Sequence, residues 1–371
     1  MMRIPRRVIS VCGLGVLACF AYFGFTPFEF SPVNRVSWNR GEGGLYFEGT
    51  EGRGPHPVGG IAVSAPLRTR DGGPPAGDGA IAVSILLRPA VEPSSELPHF
   101  FALADAGGRE ILYLGQWKET LIVGWFTAGA HGRRIRDEVG MSGALRRQAV
   151  SRLTVSSDQA GTTLYQEGRE PRRIPGKRLL RPGDSLRGKH IVLGNSPDVG
   201  DPWTGSILEV SVAEEALAPA GPGLVARFDL RGGPAPVVFD SSGNGNSLLV
   251  PDRIHAESHW LEWEAPSSYL TWSLISDVAL NILGFMVFGF VFALWMAGGG
   301  KRPAAAAYLY VFLLGAAVSF AIETIQVLIP ARSSDLRDLI CNIFGTALGI
   351  LGYHLLRRRI GLKPAADRPV A

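Results

Sequence analysis

Four long stretches without Asp, Glu, Lys or Arg constrain the fold of this chain more than any other feature of its 371 residues. Each is close to the roughly 20 apolar residues that an α-helix needs to cross the hydrocarbon core of a bilayer. Core helices of soluble proteins can also be apolar, but three of this length in close succession are improbable there. We therefore predict four transmembrane helices, within residues 8–28, 278–300, 303–322 and 339–356.

The first stretch has a second interpretation, as the signal sequence of a lipoprotein. Arginines precede it, and Val16-Leu17-Ala18-Cys19 resembles the segment that ends in a lipid-modified cysteine. A processed lipoprotein usually continues with a polar tether, whereas the residues that follow Cys19 are apolar or aromatic. We therefore favour an uncleaved anchor within residues 1–30.

Basic residues next to the stretches predict their orientation, because cytoplasmic loops of membrane proteins carry an excess of Lys and Arg. Clusters at residues 3–7, 301–302 and 357–363 fit one cytoplasmic side, while Arg332, in a short loop on the other side, departs from this bias. The prediction is a multi-pass protein with both termini in the cytoplasm. Residues 33–264 would lie outside, spans 2 to 4 within residues 269–360, and a cytoplasmic tail at residues 361–371.

The region between the first two stretches predicts an all-β domain. Short runs rich in β-branched and aromatic residues alternate with Gly, Pro, Asp and Asn, and about 230 residues suit a jelly-roll sandwich. The chain's three cysteines all lie in the predicted spans, which excludes a disulfide framework for this domain. We predict strands at residues 44–48, 80–88, 99–103, 110–114, 120–125, 151–156, 162–166, 190–193 and 207–213.

The fold class is therefore a multi-domain membrane protein. It combines an α-helical bundle of four spans with an all-β jelly-roll sandwich inserted between spans 1 and 2. The charged fraction of 19% and the net charge of +4 average these two unlike parts, and the basic isoelectric point is not evidence for nucleic-acid binding.

Several segments of the β region resemble LamG, or concanavalin A-like, sandwiches. Gly44-Leu45-Tyr46-Phe47-Glu48-Gly49 resembles their opening strand, and residues 82–89 (AVSILLRP) resemble a later strand that ends in Arg-Pro. Residues 152–156 with 162–168 are similar to their hairpin, and residues 193–195 with 203–210 to the strand after it. The resemblance covers about 170 residues and implies a sandwich that binds a glycan or glycoconjugate.

Glycan hydrolysis is disfavoured for this domain. Related glucanases carry alternating carboxylates on one strand, because paired carboxylates perform the acid–base chemistry. Here Glu209 stands alone, and Glu214 and Glu215 are adjacent, so they would point to opposite faces of a strand. For glycan binding, the candidate stacking platforms are Trp117, Trp125 and Trp203, whose alternative role is packing in the core or a hairpin.

One turn of the β region offers a candidate cation site. Asp240, Asn244 and Asn246 could supply oxygen ligands to Ca²⁺. The alternative, which we favour, is a Gly- and Asn-rich turn without an ion. Calcium is the one cofactor that the sequence suggests.

The second and fourth spans share an internal repeat. Residues 277–284 and 338–345 both read D-x-x-x-N-I-x-G, which places carboxylate, amide and glycine on one face of each helix. With the predicted orientation, both Asp–Asn pairs lie near the outer surface, where the end of the third span and the next loop add more polar groups. The predicted cluster contains Asp277, Asn281, Glu323, Gln326, Arg332, Asp335, Asp338 and Asn342.

Two roles for this cluster stay open. Ionisable groups in spans are costly, so their presence favours a ligand-binding or catalytic site. They can also act as interhelical glue, with Asn and Gln hydrogen bonds and with Arg332 neutralising a carboxylate. The two roles are compatible.

A second resemblance rests on these motifs. Residues 26–30, 277–289, 323–326 and 332–345 together resemble the VanZ-like membrane domain, although Val287 stands where that family usually has proline. The resemblance implies a bacterial cytoplasmic (inner) membrane protein with the sandwich inserted between its first two helices. The founding member is associated with low-level resistance to the glycopeptide teicoplanin, but the family's biochemical activity is not established.

Three hypotheses follow for function. In the first, the sandwich binds a glycan outside the membrane, the helices anchor it, and the polar cluster engages a lipid-linked envelope ligand. In the second, the protein is an intramembrane enzyme that acts on a lipid-linked substrate. Its acid–base groups, or the oxygen ligands of a divalent cation, would be Asp277, Glu323 and Asp338, although no nucleophile or phosphate-binding motif supports this. In the third, the protein is a membrane-tethered scaffold for another protein. The lipid bilayer is the expected partner in all three.

Overall fold

The structure is a computed structural model that describes residues 6–26, 30–39, 43–49, 58–69, 79–93, 97–128, 134–215, 223–254, 260–261, 272–297, 304–329 and 334–359. The chain divides into a helical unit, residues 1–30 with 258–371, and a β unit, residues 31–257. This division lies close to the predicted limits of the sandwich, residues 33–264.

The helical unit contains four helices, each long and apolar enough to cross a membrane. They match the four charge-free stretches, and the last helix ends in three arginines. The large apolar side chains that remain exposed on all four helices would contact lipid in a bilayer. The helices are α1 Arg6–Phe25, α2 Trp272–Ala297, α3 Ala304–Gln326 and α4 Leu336–Arg359.

Glycines bring α2 and α4 together as parallel neighbours. A Cβ atom added at Gly345 would lie 2.4 Å from the carbonyl oxygen of Ile282, and one added at Gly349 would lie 2.1 Å from that of Met286. The contacts advance in the same direction along both helices, so the helices run parallel. Backbones approach this closely only where side chains are absent, as at small-residue interfaces in membranes.

The other two helices run antiparallel to these. On α3, Gly315 faces Thr346, and Ser319 Oγ accepts a hydrogen bond from Asn342. Because residue numbers rise along α3 as they fall along α4, the two helices are antiparallel. On α1, Phe20 stacks on Phe285 with ring centroids 4.4 Å apart. An up-and-down bundle of four helices results.

The β unit is a two-sheet sandwich, as predicted. Sheet I has the order β1-β2-β13-β4-β9-β10-β11, with β14 also paired to β13, and sheet II has the order β15-β16-β3-β12-β5-β6-β7-β8. The pairings in both sheets are antiparallel. The strands are β1 Val36–Trp38, β2 Leu45–Phe47, β3 Ala62–Ser64, β4 Ile81–Pro89, β5 His99–Ala104, β6 Glu110–Trp117, β7 Thr120–Ala128, β8 Arg134–Met141, β9 Ser151–Asp158, β10 Gly161–Gln166, β11 Arg172–Pro175, β12 His190–Leu193, β13 Gly205–Ala213, β14 Leu224–Asp229, β15 Val237–Phe239 and β16 Ser247–Leu249.

The core lies between the two sheets and follows the period-2 alternation of the strands. Val83, Ile85 and Leu87 of β4 point into it, whereas Ser84 and Leu86 lie on the outer face of sheet I. A smaller apolar layer covers part of the outer face of sheet II. The outer faces of the two sheets therefore differ: part of that of sheet II is covered by apolar residues, and that of sheet I carries polar and charged ones.

The two chain ends of the β unit are fastened side by side. Val33 bridges to Arg253, and the buried Asn34 amide donates to the carbonyl oxygens of Ile61 and Pro251. A domain inserted between two helices needs its ends close together, and this pairing supplies that closeness.

Candidate functional site

Polar side chains from α2, α3 and α4 meet at one end of the helical bundle. The backbone N–H of Asp335 donates to Glu323 Oε2 at 3.0 Å, and the side chain of Asn281 hydrogen-bonds to Asp338. The charge of Asp277 also acts on Asp338. We call this group, completed by Gln326 and Asn342, the polar helix cluster. The predicted member Arg332 lies outside the described residues.

Amide side chains at this end of the bundle also join the helices. Asn342 Nδ2 donates to Ser319 Oγ at 3.0 Å, and Gln326 Nε2 donates to the Gly24 carbonyl oxygen of α1 at 3.1 Å. Asp335 forms an ion pair with Arg337, with an N–O distance of 3.1 Å. These contacts show that the cluster contributes to helix packing.

A cleft of about 450 Å³ opens in the β unit. It lies between β7 and β8 of sheet II and the segment 175–184 that follows β11. Lys177 spans it, because its Nζ forms an ion pair with Asp137 and lies 6.0 Å from the ring centroid of Trp125. The cleft is lined by Ile111, Trp125, Phe126, Thr127, Asp137, Pro175, Gly176, Lys177, Arg178, Leu179, Leu180, Arg181, Pro182 and Asp184.

The three candidate tryptophans occupy different environments. Trp203 is fully buried and donates from Nε1 to Gln116 Oε1 at 2.7 Å, so its ring has no free face for a glycan and its proposed stacking role is wrong. Trp125 is 2% exposed and packs in the core, so only the ring edge that faces the cleft could contact a ligand. Trp117 is 46% exposed at the β6–β7 hairpin, with Lys118 Nζ 5.0 Å from its ring centroid.

The candidate calcium residues form a hydrogen-bonded turn. Asp240 Oδ1 accepts from the backbone N–H groups of Arg227 and Ser242, and Asn244 Nδ2 donates to backbone carbonyl oxygens of β14. Asn246 Oδ1 accepts from the backbone N–H of Arg68. These bonds engage all three side chains. Among the residues that the structure describes, no group of three or more His, Cys, Asp or Glu side chains is placed to hold a metal.

Glu209, which the sequence analysis describes as a lone carboxylate, lies at the centre of a group of ion pairs. On the outer face of sheet I, its buried carboxylate contacts Arg152 at 3.2 Å, Arg227 at 2.9 Å and Arg231 at 3.7 Å. Hydrogen bonds from Arg231 hold the pKa of Asp229, next to this group, below its usual range. Asp229, Glu167 and Glu209 together balance the three arginines, so this group is a neutral network and not an anion-binding site.

A second buried charge group lies on sheet II. His99 Nδ1 is 3.0 Å from Glu110 Oε1 and 3.7 Å from Asp201 Oδ2, and the imidazole stacks on Tyr113 with centroids 3.9 Å apart. Burial alone would lower the pKa of His99, but the hydrogen bond and charge of Glu110, with Asp201 and Asp198, outweigh it and raise that pKa. Sequence reasoning missed this group, because its members lie up to 102 positions apart.

The fold and these features define a multi-pass membrane protein whose β-sandwich is inserted after the first of four helices. Residues 235–357, about a third of the chain, match the family model described as VanZ/LLP1. The match begins just before β15 and ends in α4, and α1 lies outside it. No curated protein matches the chain.

Solved structures give distant similarities. A proposed carbohydrate-binding protein from Bacteroides ovatus is 14% identical with a TM-score of 0.35, over 57% of this chain and 60% of its own. A sialidase CBM40 from Ruminococcus gnavus, bound to α2,3-sialyllactose, is 12% identical with a TM-score of 0.31, over 38% and 79%. A pentraxin from Limulus polyphemus is 11% identical with a TM-score of 0.34, over 56% and 95%. None of these similarities is close enough to support an inference about a ligand.

Proposed function

We propose that this protein is a bacterial envelope protein whose sandwich binds a glycan or glycoconjugate outside the cytoplasmic membrane, and whose VanZ-like helices anchor it. The observation that carries the proposal is the cleft beside Trp125. Its volume of about 450 Å³ falls within the range of roughly 300–1,000 Å³ that is usual for small-molecule sites.

The chemistry of the cleft suits a sugar. Trp125 supplies an aromatic edge, and Lys177 and Asp137 supply a donor and an acceptor that are both partly exposed. Sugar hydroxyls donate and accept hydrogen bonds, while the C–H faces of the ring pack on aromatic groups. A rim of mixed donors and acceptors around an aromatic wall therefore fits a glycan better than a purely apolar ligand or a simple anion.

The proposal is tested with the full-length protein in lipid nanodiscs, probed on arrays of polysaccharides and peptidoglycan fragments. We expect binding to at least one glycan, and we expect Lys177→Ala to weaken it at least tenfold. The matched variant is Trp117→Ala, which removes the exposed tryptophan at the hairpin and should leave binding unchanged.

Two results would overturn this proposal. The first is the absence of binding to every glycan by protein whose unfolding transition is normal. The second is loss of binding in Trp117→Ala but not in Lys177→Ala, which would move the site to the β6–β7 hairpin. Recovery of a specific protein partner without glycan binding would favour the scaffold hypothesis instead.

The VanZ-like domain extends the proposal to a cellular phenotype. If the helices hold the sandwich close to envelope precursors, deleting the protein should change susceptibility to teicoplanin. Restoring the wild-type chain should reverse the change, whereas restoring the Lys177→Ala chain should not. An unchanged susceptibility in the deletion strain would separate this protein from glycopeptide response.

A further inference from the structure

We infer that the polar helix cluster binds a primary ammonium group, presented by an aminophospholipid or by an amino sugar on a membrane-borne ligand. The binding site would lie among α2, α3 and α4, at the level of Glu323 and Asp338. This inference concerns the helical unit alone and does not depend on glycan binding by the sandwich.

The first observation is the register of the repeated motif. Asp277, Asn281 and Gly284 precede Asp338, Asn342 and Gly345 by 61 positions each. The close contact between Gly345 and Ile282 shows that the parallel helices pack with nearly this same offset. The motif residues of α2 and α4 therefore lie at similar levels of the bundle, where Asn281 of α2 hydrogen-bonds to Asp338 of α4.

The second observation is the contribution of α3 to the same levels. Glu323 is 1% exposed and accepts from the backbone of Asp335, and Ser319, one turn away, accepts from Asn342. Glu323 thus places a third carboxylate at the same end of the bundle as those of α2 and α4, without the three converging closely enough to hold a metal. Ionised carboxylates at such a position are costly in a membrane protein unless a cation or several donors face them.

The third observation is that two amide side chains of the cluster use their nitrogen donors in hydrogen bonds, whereas their oxygen acceptors have no partner among the described residues. Asn342 Nδ2 is engaged with Ser319, and Gln326 Nε2 with Gly24. The other oxygens of these two side chains, Asn342 Oδ1 and Gln326 Oε1, are buried and have no hydrogen-bond partner among the described residues. Buried polar atoms without partners are rare in folded proteins and need an explanation.

These observations define the chemistry of the missing partner. The unpartnered atoms are two amide oxygens, and they lie at the same end of the bundle as the carboxylates of the cluster, so the complement is a cation that donates several hydrogen bonds. A primary ammonium carries three donors and a positive charge. A metal ion fits less well, because no group of three or more acidic or histidine side chains within the described part of the chain is placed to hold one. Interhelical glue explains the engaged amide nitrogens but not the two orphaned oxygens.

The test measures lipid selectivity of the full-length protein, delipidated in detergent, by native mass spectrometry. Phosphatidylethanolamine is compared with phosphatidylcholine, whose quaternary ammonium has no N–H donor. We expect at least a tenfold preference for phosphatidylethanolamine, falling to twofold or less in Asp338→Asn and in Glu323→Gln. The control is Thr324→Ala, which is exposed on α3 next to Glu323 and should keep the full preference.

Competition with soluble ethanolamine and glucosamine assigns the source of the ammonium group. Displacement of the lipid by glucosamine at lower concentration than by ethanolamine would favour an amino sugar, and the reverse order would favour the aminophospholipid. Equal affinity of the wild type for both lipids would overturn the inference. Retention of the preference by Asp338→Asn and Glu323→Gln would also overturn it, and the wild-type comparison decides alone if neither variant folds.

Discussion

The close packing of α4 on α2 predicts opposite effects of the same substitution at two neighbouring glycines. At Gly349, an added Cβ would lie 2.1 Å from the Met286 carbonyl oxygen and 2.6 Å from the Phe290 backbone nitrogen. At Gly352, one turn away, the nearest atom would be Phe290 Cδ2 at an ordinary 3.8 Å. Gly349→Ala therefore forces the two backbones apart, whereas Gly352→Ala adds a methyl group without a clash.

The magnitudes follow from these distances. Overpacking of this kind costs about 1–3 kcal/mol, and replacing a mid-helix glycine with alanine gains about 0.5–1 kcal/mol where the space is free. We expect the free energy of unfolding to fall in Gly349→Ala and to stay level or rise in Gly352→Ala. Because the gain from alanine applies at both positions, the difference between the two variants is the overpacking cost of about 1–3 kcal/mol. Reversible unfolding in bicelles, followed for both variants and the wild type, measures it.

One result would contradict the close packing of α2 and α4. If Gly349→Ala were as stable as Gly352→Ala, α2 and α4 would not be in backbone contact at Gly349. The parallel, in-register packing on which the polar helix cluster depends would then be wrong.

Four further predictions concern the sandwich and the topology. Glu209→Gln should lower the free energy of unfolding most at low salt, because the three arginines around this carboxylate would then repel one another and added salt would screen that repulsion. An equal loss of unfolding free energy at low and high salt would contradict the ion network. Trp203→Phe should cost roughly 1–3 kcal/mol beyond its lost volume, because it leaves Gln116 Oε1 buried without a donor, and chemical denaturation measures this. The pKa of His99 is raised in the folded protein, so its stabilising charge is fully present below the pKa of the unfolded chain, about 6.5, and is lost as the pH rises through the folded-state pKa. The difference in unfolding free energy between the wild type and His99→Gln should therefore shrink above about pH 6.5. A cysteine introduced at the exposed Gln159, in a chain whose native cysteines are replaced, should react with an impermeant maleimide on intact cells, and labelling only after lysis would reverse the proposed orientation.

The sequence predicts the regular parts of this fold well. All four helices coincide with charge-free stretches, and each of the nine predicted strands overlaps an observed one. The strands that were missed are mostly short or lie at sheet edges. β3, β15 and β16 have only three residues each, too few to show alternation, and β8 carries several charges because it is an edge strand with little burial to enforce an apolar pattern.

The candidate sites divide in the same way. The polar helix cluster was predictable, because the repeat spacing fixes which residues share a helix face and a level. The cleft was not, because Trp125 of sheet II and Lys177, which follows β11 of sheet I, meet through tertiary packing across 52 positions, and no local pattern encodes that contact. The burial of Trp203 was equally hidden, since a tryptophan beside a strand can face either the core or solvent until the register is known.

Hydrogen–deuterium exchange of the full-length protein in nanodiscs, with and without a glycan found on the array, tests the central claim most directly. The account predicts protection concentrated in β7, in the facing part of β8 and in residues 175–184, which line the cleft. Strands β4 and β13 of sheet I, which contribute no residue to the cleft, should exchange as before. Protection confined to β4 and β13, with β7 and residues 175–184 unchanged, would contradict it.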